Sequence, residues 1–211
     1  MPTEFLREMT GPAGPLEARL DLPDGAPRAV AVCGHPHPLH GGTMHTKALY
    51  QTAKALTRVG VAAVRFNFRG VGASEGTHGE GRAELADVAG ALAHVRASLD
   101  GAPRLVAVAG YSFGSHVGGR AAAADPGVGF YLGVAPVVAR YDYGFLADIR
   151  GRVALVSGTR DEYSDPAKLA ALVASLPSPP WVRALEADHF FGDKLDELGA
   201  ACGEAIAWAE G

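Results

Sequence analysis

Short apolar runs alternate along this chain with longer segments of helical period, and that alternation limits the fold more than any other feature. The runs are AVAVCG (29–34), VAAVRFNF (61–68), RLVAVAG (104–110), VGFYLGVAP (128–136), RVALVSG (152–158) and WVRALE (181–186). They are expected to form a mostly parallel sheet with helices on both faces, an α/β fold. An earlier segment, LEARLDLP (16–23), alternates apolar and polar residues as an antiparallel strand does. Between the runs, Leu85, Val88, Ala89, Leu92, Val95 and Leu99 recur at spacings of three and four, which predicts one buried helix face. In DPAKLAALVASL, Asp165 is the expected N-cap and Pro166 the first helical residue, with Leu169, Leu172, Val173 and Leu176 as the buried stripe. The alanines at 121–124 fit the end of a helix, and the PSPP stretch at 177–180 reads as a stiff loop. With no seam between two cores and no internal repeat, residues 1–211 are expected to form one domain.

Composition narrows the function classes. A formal net charge of −4, with the arginines between Arg58 and Arg69 interrupted by apolar residues, offers no basic face for nucleic acid. The first twenty residues carry Glu, Arg and Pro where a signal peptide needs an apolar stretch, and no later run is long enough to span a bilayer. A cytoplasmic protein without a membrane partner is expected. Cys33 and Cys202 suggest neither a disulfide framework nor a CxxC metal site, and both read as buried packing residues.

The most informative segment is AVAGYSFGSHVGG. Here a strand ending at Gly110 meets Tyr111, Ser112, Phe113 and Gly114 and then a helix, which is the G-x-S-x-G nucleophile elbow in its required context. The sharp turn strains the serine backbone and needs glycine on either side, at 110 and 114. Ser112 should project from the C-terminal edge of the sheet at a helix N-terminus, where free amides favour developing negative charge. The NH of Phe113 is one expected oxyanion donor.

A serine hydroxyl needs a histidine within hydrogen-bond reach and a carboxylate that orients the imidazole, and on this fold they follow in the order Ser, acid, His. Asp161, in TRDEYSDP just beyond the strand at 152–158, is the expected acid. Of its rivals, Asp165 is accounted for as a helix cap and Glu162 as a solvent-facing residue. His189, in ADHFFGDK after the run at 181–186, is the expected base, and His116 on the helix after the elbow is expected to be packed or exposed there.

The loop GHPHPLHGGTMHTK concentrates His35, His37, His40 and His45. His35 and His37 resemble an H-x-H metal pair, but no Asp, Glu or Cys in the loop completes a ligand set. The alternative is the second half of an oxyanion hole. Pro36 and Pro38 have no NH to give, which leaves His37 as the first donor and Leu39 as the alternative. In RFNFRGVGASEG the glycine spacing fails as a dinucleotide site, because Glu75 stands where the third glycine is needed. Arg69 is instead expected to tie loops together.

Together HPHPLHGGTM, RFNFRGVGASEG, GYSFG, the Asp161 loop and DHFFGDKLDEL resemble a bacterial family of small α/β-hydrolases that lack a lid, from about residue 16 to the end of the chain. The resemblance implies a Ser112, Asp161, His189 triad and carboxylesterase-like activity. Thr159 stands where similar proteins often carry another Asp, which leaves the acid assignment intact. Independently, VVARYDYGFLADIRG after Pro136 is too short for a cap, so an open, shallow pocket is expected, lined by Leu39, Phe113, Tyr141, Tyr143, Phe145 and Phe190. The expected partner is a small acyl substrate, with no cofactor and no metal. The competing expectation is a silent member of the fold that binds without turnover.

Overall fold

The computed structural model describes residues 2–6, 8–98 and 105–210. In chain order the elements are β1 (Thr3–Leu6), β2 (Thr10–Gly11), β3 (Gly14–Pro15), β4 (Ala18–Asp21), β5 (Ala29–Gly34), α1 (Lys47–Arg58), β6 (Val61–Phe66), α2 (Ala83–Ser98) and β7 (Leu105–Tyr111). There follow α3 (Phe113–Ala124), β8 (Phe130–Val134), β9 (Arg152–Gly158), α4 (Pro166–Ser175), β10 (Trp181–Leu185) and α5 (Leu195–Glu210). Eight strands form one sheet in the order β1-β4-β6-β5-β7-β8-β9-β10, while β2 and β3 pair separately. β1 and β4 run antiparallel at one end, and every pairing from β6 to β10 is parallel. This is the α/β-hydrolase architecture expected from the alternation of runs.

The two faces of the sheet differ in bulk. On one, Ala29, Ala31, Ala63, Ala107, Ala109 and Ala154 form a low floor under α1 and α5, whose Leu49, Leu56, Leu198 and Ile206 fill the space. On the other, Val30, Val32, Val64, Val108 and Leu155 meet Val88, Leu92, Val117 and Leu169 from α2, α3 and α4. Strand residues alternate between faces, so strands that read as continuous apolar runs serve two cores at once.

Several sequence expectations shift. The run at 61–68 ends as a strand at Phe66, because Asn67 and Phe68 turn away to bond elsewhere: the Asn67 NH donates to Glu17 O at 2.8 Å and the Phe68 NH to His35 Nε2 at 3.0 Å. In α2, Ala89 is exposed, whereas Glu84 and Asp87 are buried beside Val88, Ala91, Leu92 and Val95. The two acids face inward because each has donors to hold. Glu84 accepts the NH groups of Gly79 and Gly81 at 2.7 and 2.8 Å. Asp87 accepts the Arg69 guanidinium at 2.7 and 3.0 Å and the Arg69 NH at 3.1 Å, so Arg69 ties the loop after β6 to α2. Leu99 and Arg104 lie outside the described residues. Asp165 caps α4, accepting from the amides of Ala167 and Lys168. Among the described residues no helix is long and apolar enough to cross a membrane.

Candidate active site

The chain turns sharply where β7 passes into α3. Ser112 has φ 56° and ψ −120°, a region that costs a non-glycine residue about 1–3 kcal/mol. The turn is held from both sides: the Ser112 NH donates to Val134 O of β8 at 2.9 Å, and its carbonyl accepts the NH and Oγ of Ser115 at 2.9 and 2.7 Å. Glycine is required at 110 and 114 by close backbone approach. A Cβ on Gly110 would lie 2.2 Å from Gly114 O, and one on Gly114 would lie 2.2 Å from Gly34 O. The elbow is thus wedged against the end of β5 as well as against itself.

Three side chains distant in sequence meet at this edge. Ser112 Oγ lies 2.8 Å from His189 Nε2, and His189 Nδ1 lies 2.8 Å from Asp161 Oδ2. All three residues are buried, Ser112 at 8% exposure, His189 at 7% and Asp161 at 2%, so their mutual bonds are little diluted by water. The other Asp161 oxygen, Oδ1, accepts the amides of Tyr163 and Ser164 at 2.8 and 3.0 Å. An ionised carboxylate only accepts, so Nδ1 carries the imidazole proton and Nε2 is left to accept from the serine hydroxyl. The His189 loop is fixed by Tyr111, whose OH donates to the His189 carbonyl at 2.9 Å, and by the amides of Thr159 and Arg160, which donate to Leu185 O and Ala187 O. The rival carboxylates stand apart, Glu162 exposed and Asp165 engaged as a cap. His116 packs against Tyr141, Tyr143 and Phe145, and burial pushes its pKa down to about 4.

The histidine-rich loop divides its work. His35 is fully buried and both ring nitrogens are used, Nδ1 with Pro36 O at 2.6 Å and Nε2 with the Phe68 NH at 3.0 Å. Burial holds its pKa at about 4, so it is a neutral tie between the loops after β5 and β6. The Leu39 NH donates to His37 Nδ1 at 3.2 Å, which closes a short 3-10 turn at Pro38–His40. That amide is therefore engaged, whereas the NH groups of His37 and Phe113 have no acceptor among the described residues. The rings of these two residues lie 4.9 Å apart beside Ser112. The farther end of the loop is anchored by Arg65, which joins Asp21 at 2.6 Å and the Met44 carbonyl at 2.7 Å, and by Asn67, which accepts the Met44 NH at 2.8 Å.

A cavity of about 460 Å³ opens over the serine, lined by Tyr111, Phe113, Tyr141, Tyr163 and Phe190 with Arg140. Three expected lining residues are elsewhere. Leu39 is 71% exposed on the loop tip; Tyr143 is buried, its OH bridging Ser115 Oγ and the Val137 NH; and Phe145 packs against α3 at Gly119. Tyr163 and Arg140 were not among the expected lining residues, because nothing in a local string marks which rim residue faces a cavity built from five loops. Cys33 and Cys202 are buried, and burial pushes both thiols up to about 12, as suits packing residues.

Residues 37–146 match the profile of a family described as "Serine aminopeptidase, S33". A solved structure from Xanthomonas campestris, a member of the α/β serine hydrolases without lid, superposes with a TM-score of 0.89 at 31% identity, covering 99% of this chain and 96% of that one. This chain belongs to the small lidless α/β serine hydrolases. A putative α/β-hydrolase from Agrobacterium tumefaciens is also similar, with a TM-score of 0.86 and 34% identity over 98% of this chain and 95% of its own. A Rickettsia prowazekii protein is 29% identical over 205 residues, 93% of this chain and 86% of that protein. In keeping with a lidless hydrolase, the segment from β8 to β9 holds only a short 3-10 turn at Gly144–Asp148 and gives Val137, Arg140 and Tyr141 to the cavity lining.

Proposed function

We propose that this hydrolase cleaves a carboxylic ester, or a thioester or lactone of similar size, by acyl transfer through Ser112. The observation that carries the reading is the continuous bond path from Asp161 through His189 to the Ser112 hydroxyl, 2.8 Å at each step. His189 takes the serine proton as Oγ attacks the acyl carbon. The oxyanion then lies against the free NH groups of Phe113 and His37, and His189 returns the proton to the departing alcohol. Water, deprotonated by the same imidazole, attacks the acyl-enzyme and releases the acid. The reaction calls for no cofactor.

Aminopeptidase action, suggested by the family description, is supported less well. An enzyme that grips a protonated α-amino group needs a carboxylate in its pocket, and among the described lining residues there is no Asp or Glu. A silent binding role would leave unexplained why a strained serine is held in register with a buried His-Asp pair.

A fluorophosphonate probe is expected to label Ser112, and Ser112→Ala to lower turnover of short-chain para-nitrophenyl esters on the order of 10^4- to 10^6-fold. A folded protein that neither labels nor turns over such esters would favour the silent binder.

A further inference from the structure

The cavity wall carries one charge that the acyl-transfer chemistry leaves unused. Among the described residues lining the cavity, Arg140 is the one permanently charged side chain, and no acidic residue faces it there. Its guanidinium lies 5.1 Å from the centre of the Tyr163 ring, and that ring lies 4.8 Å from the His189 imidazole. Arg140 is itself exposed, so the cation stands one aromatic ring away from the reacting groups at the solvent-facing rim of the cavity.

Backbone bonds set this placement. The Arg140 NH donates to Val137 O at 2.9 Å, and the Ala139 NH donates to Tyr163 O at 3.0 Å, which fastens the arginine segment to the loop that carries Asp161. The Tyr143 OH donates to Ser115 Oγ at 2.7 Å, whose own proton goes to Ser112 O, and accepts the Val137 NH at 3.1 Å, so the same segment is fastened to the elbow. The arginine thus has a fixed base at the rim. Its head makes no ion pair with any described carboxylate, and a ring face satisfies none of its five NH donors. The imidazole of His37, which also lines the cavity, is shifted toward the neutral form by burial and by its histidine neighbours.

Resting on the acyl-transfer reading of Ser112, we infer that the substrate is an anionic ester whose carboxylate, remote from the scissile bond, is held by Arg140. A planar fork of donors fits a carboxylate in two parallel hydrogen bonds, and the stacked tyrosine keeps that fork oriented. The apolar remainder of the lining, Tyr111, Phe113, Tyr141 and Phe190, suits the carbon chain between the two polar ends. The carboxylate sits on either the acyl or the alcohol side of the ester, and the two are separated by assay.

Two matched pairs of chromogenic esters test this. One is the para-nitrophenyl half-ester of adipic acid against the same ester of its monoamide. The other is a nitrophenyl butyrate bearing a ring carboxylate against its ring carboxamide. The wild type is expected to favour the anionic member of one pair by about tenfold in kcat/KM, with the preference shrinking as salt is raised. Arg140→Ala should bring that ratio to near one, and Arg140→Glu should invert it. A wild-type ratio near one in both pairs, or a preference that survives in Arg140→Ala, overturns the inference. If only the inference fails, the neutral esters are still hydrolysed and Ser112 still takes the fluorophosphonate; if no ester is cleaved and no label is taken, the acyl-transfer reading falls with it.

Discussion

Replacing Asp161 with asparagine changes one atom and has a calculable outcome, because the surrounding amides dictate how the new side chain sits. Oδ1 accepts the NH groups of Tyr163 and Ser164 at 2.8 and 3.0 Å. An asparagine must keep its carbonyl oxygen there, since turning its NH2 toward two NH donors, one buried and one partly buried, would forfeit both bonds, about 1–3 kcal/mol for a buried group left unsatisfied. The NH2 therefore takes the place of Oδ2, 2.8 Å from His189 Nδ1. A donor facing Nδ1 forces that nitrogen to become the acceptor and moves the imidazole proton to Nε2, which can then no longer accept from Ser112. In the proposed mechanism this removes the base without removing a side chain. A wrong tautomer of this kind costs about 10^4 in kcat in a serine protease, equivalent to roughly 5 kcal/mol of barrier. Steady-state hydrolysis of a neutral para-nitrophenyl ester, with thermal denaturation to confirm that the variant is folded, measures the effect. Asp161→Asn retaining more than about a tenth of wild-type kcat/KM would refute both the assigned tautomer and the role of Asp161.

Two further outcomes concern the scaffold of the site. Gly114→Ala places a methyl group 2.2 Å from Gly34 O, where only backbone can give way, and is expected to destabilise the protein by about 3 kcal/mol or more, read as a lowered urea midpoint; an unchanged midpoint would mean that the elbow is not wedged on β5. His35 is held neutral by burial with a pKa of about 4 against an ordinary value of 6.5, so the unfolded chain binds the extra proton first. The stability it contributes is complete above the unfolded pKa and is lost as pH falls toward the folded one, about 2 kcal/mol between pH 7 and pH 5. Urea titrations at both pH values on wild type and His35→Gln check this, and an equal pH response in the two proteins would remove His35 as its source.

The sheet and the strand ends are legible because burial on both faces writes itself as unbroken apolar runs, and a residue just past such a run sits at the edge where loops converge. Ser112, Asp161 and His189 can each be located in that way, since each follows the end of β7, β9 or β10. The buried polar ties are another matter. Glu84 and Asp87 occupy helix positions that period alone assigns to solvent, and their partners, Gly79, Gly81 and Arg69, come from the preceding loop. Arg65 reads as a stray charge in an apolar strand until Asp21 and the Met44 carbonyl are placed beside it. The same limit applies to the cavity wall. Tyr143 and Phe145 look as suited to it as Tyr141, and only the path of the chain around α3 sends two of the three inward.

Between β8 and β9 the chain adds wall residues to the cavity mouth and a short 3-10 turn, and no inserted cap. On the proposed acyl-transfer reading, water would reach an acylated Ser112 without a cap having to open first. Discrimination between substrates would then fall to groups already rigid before the encounter.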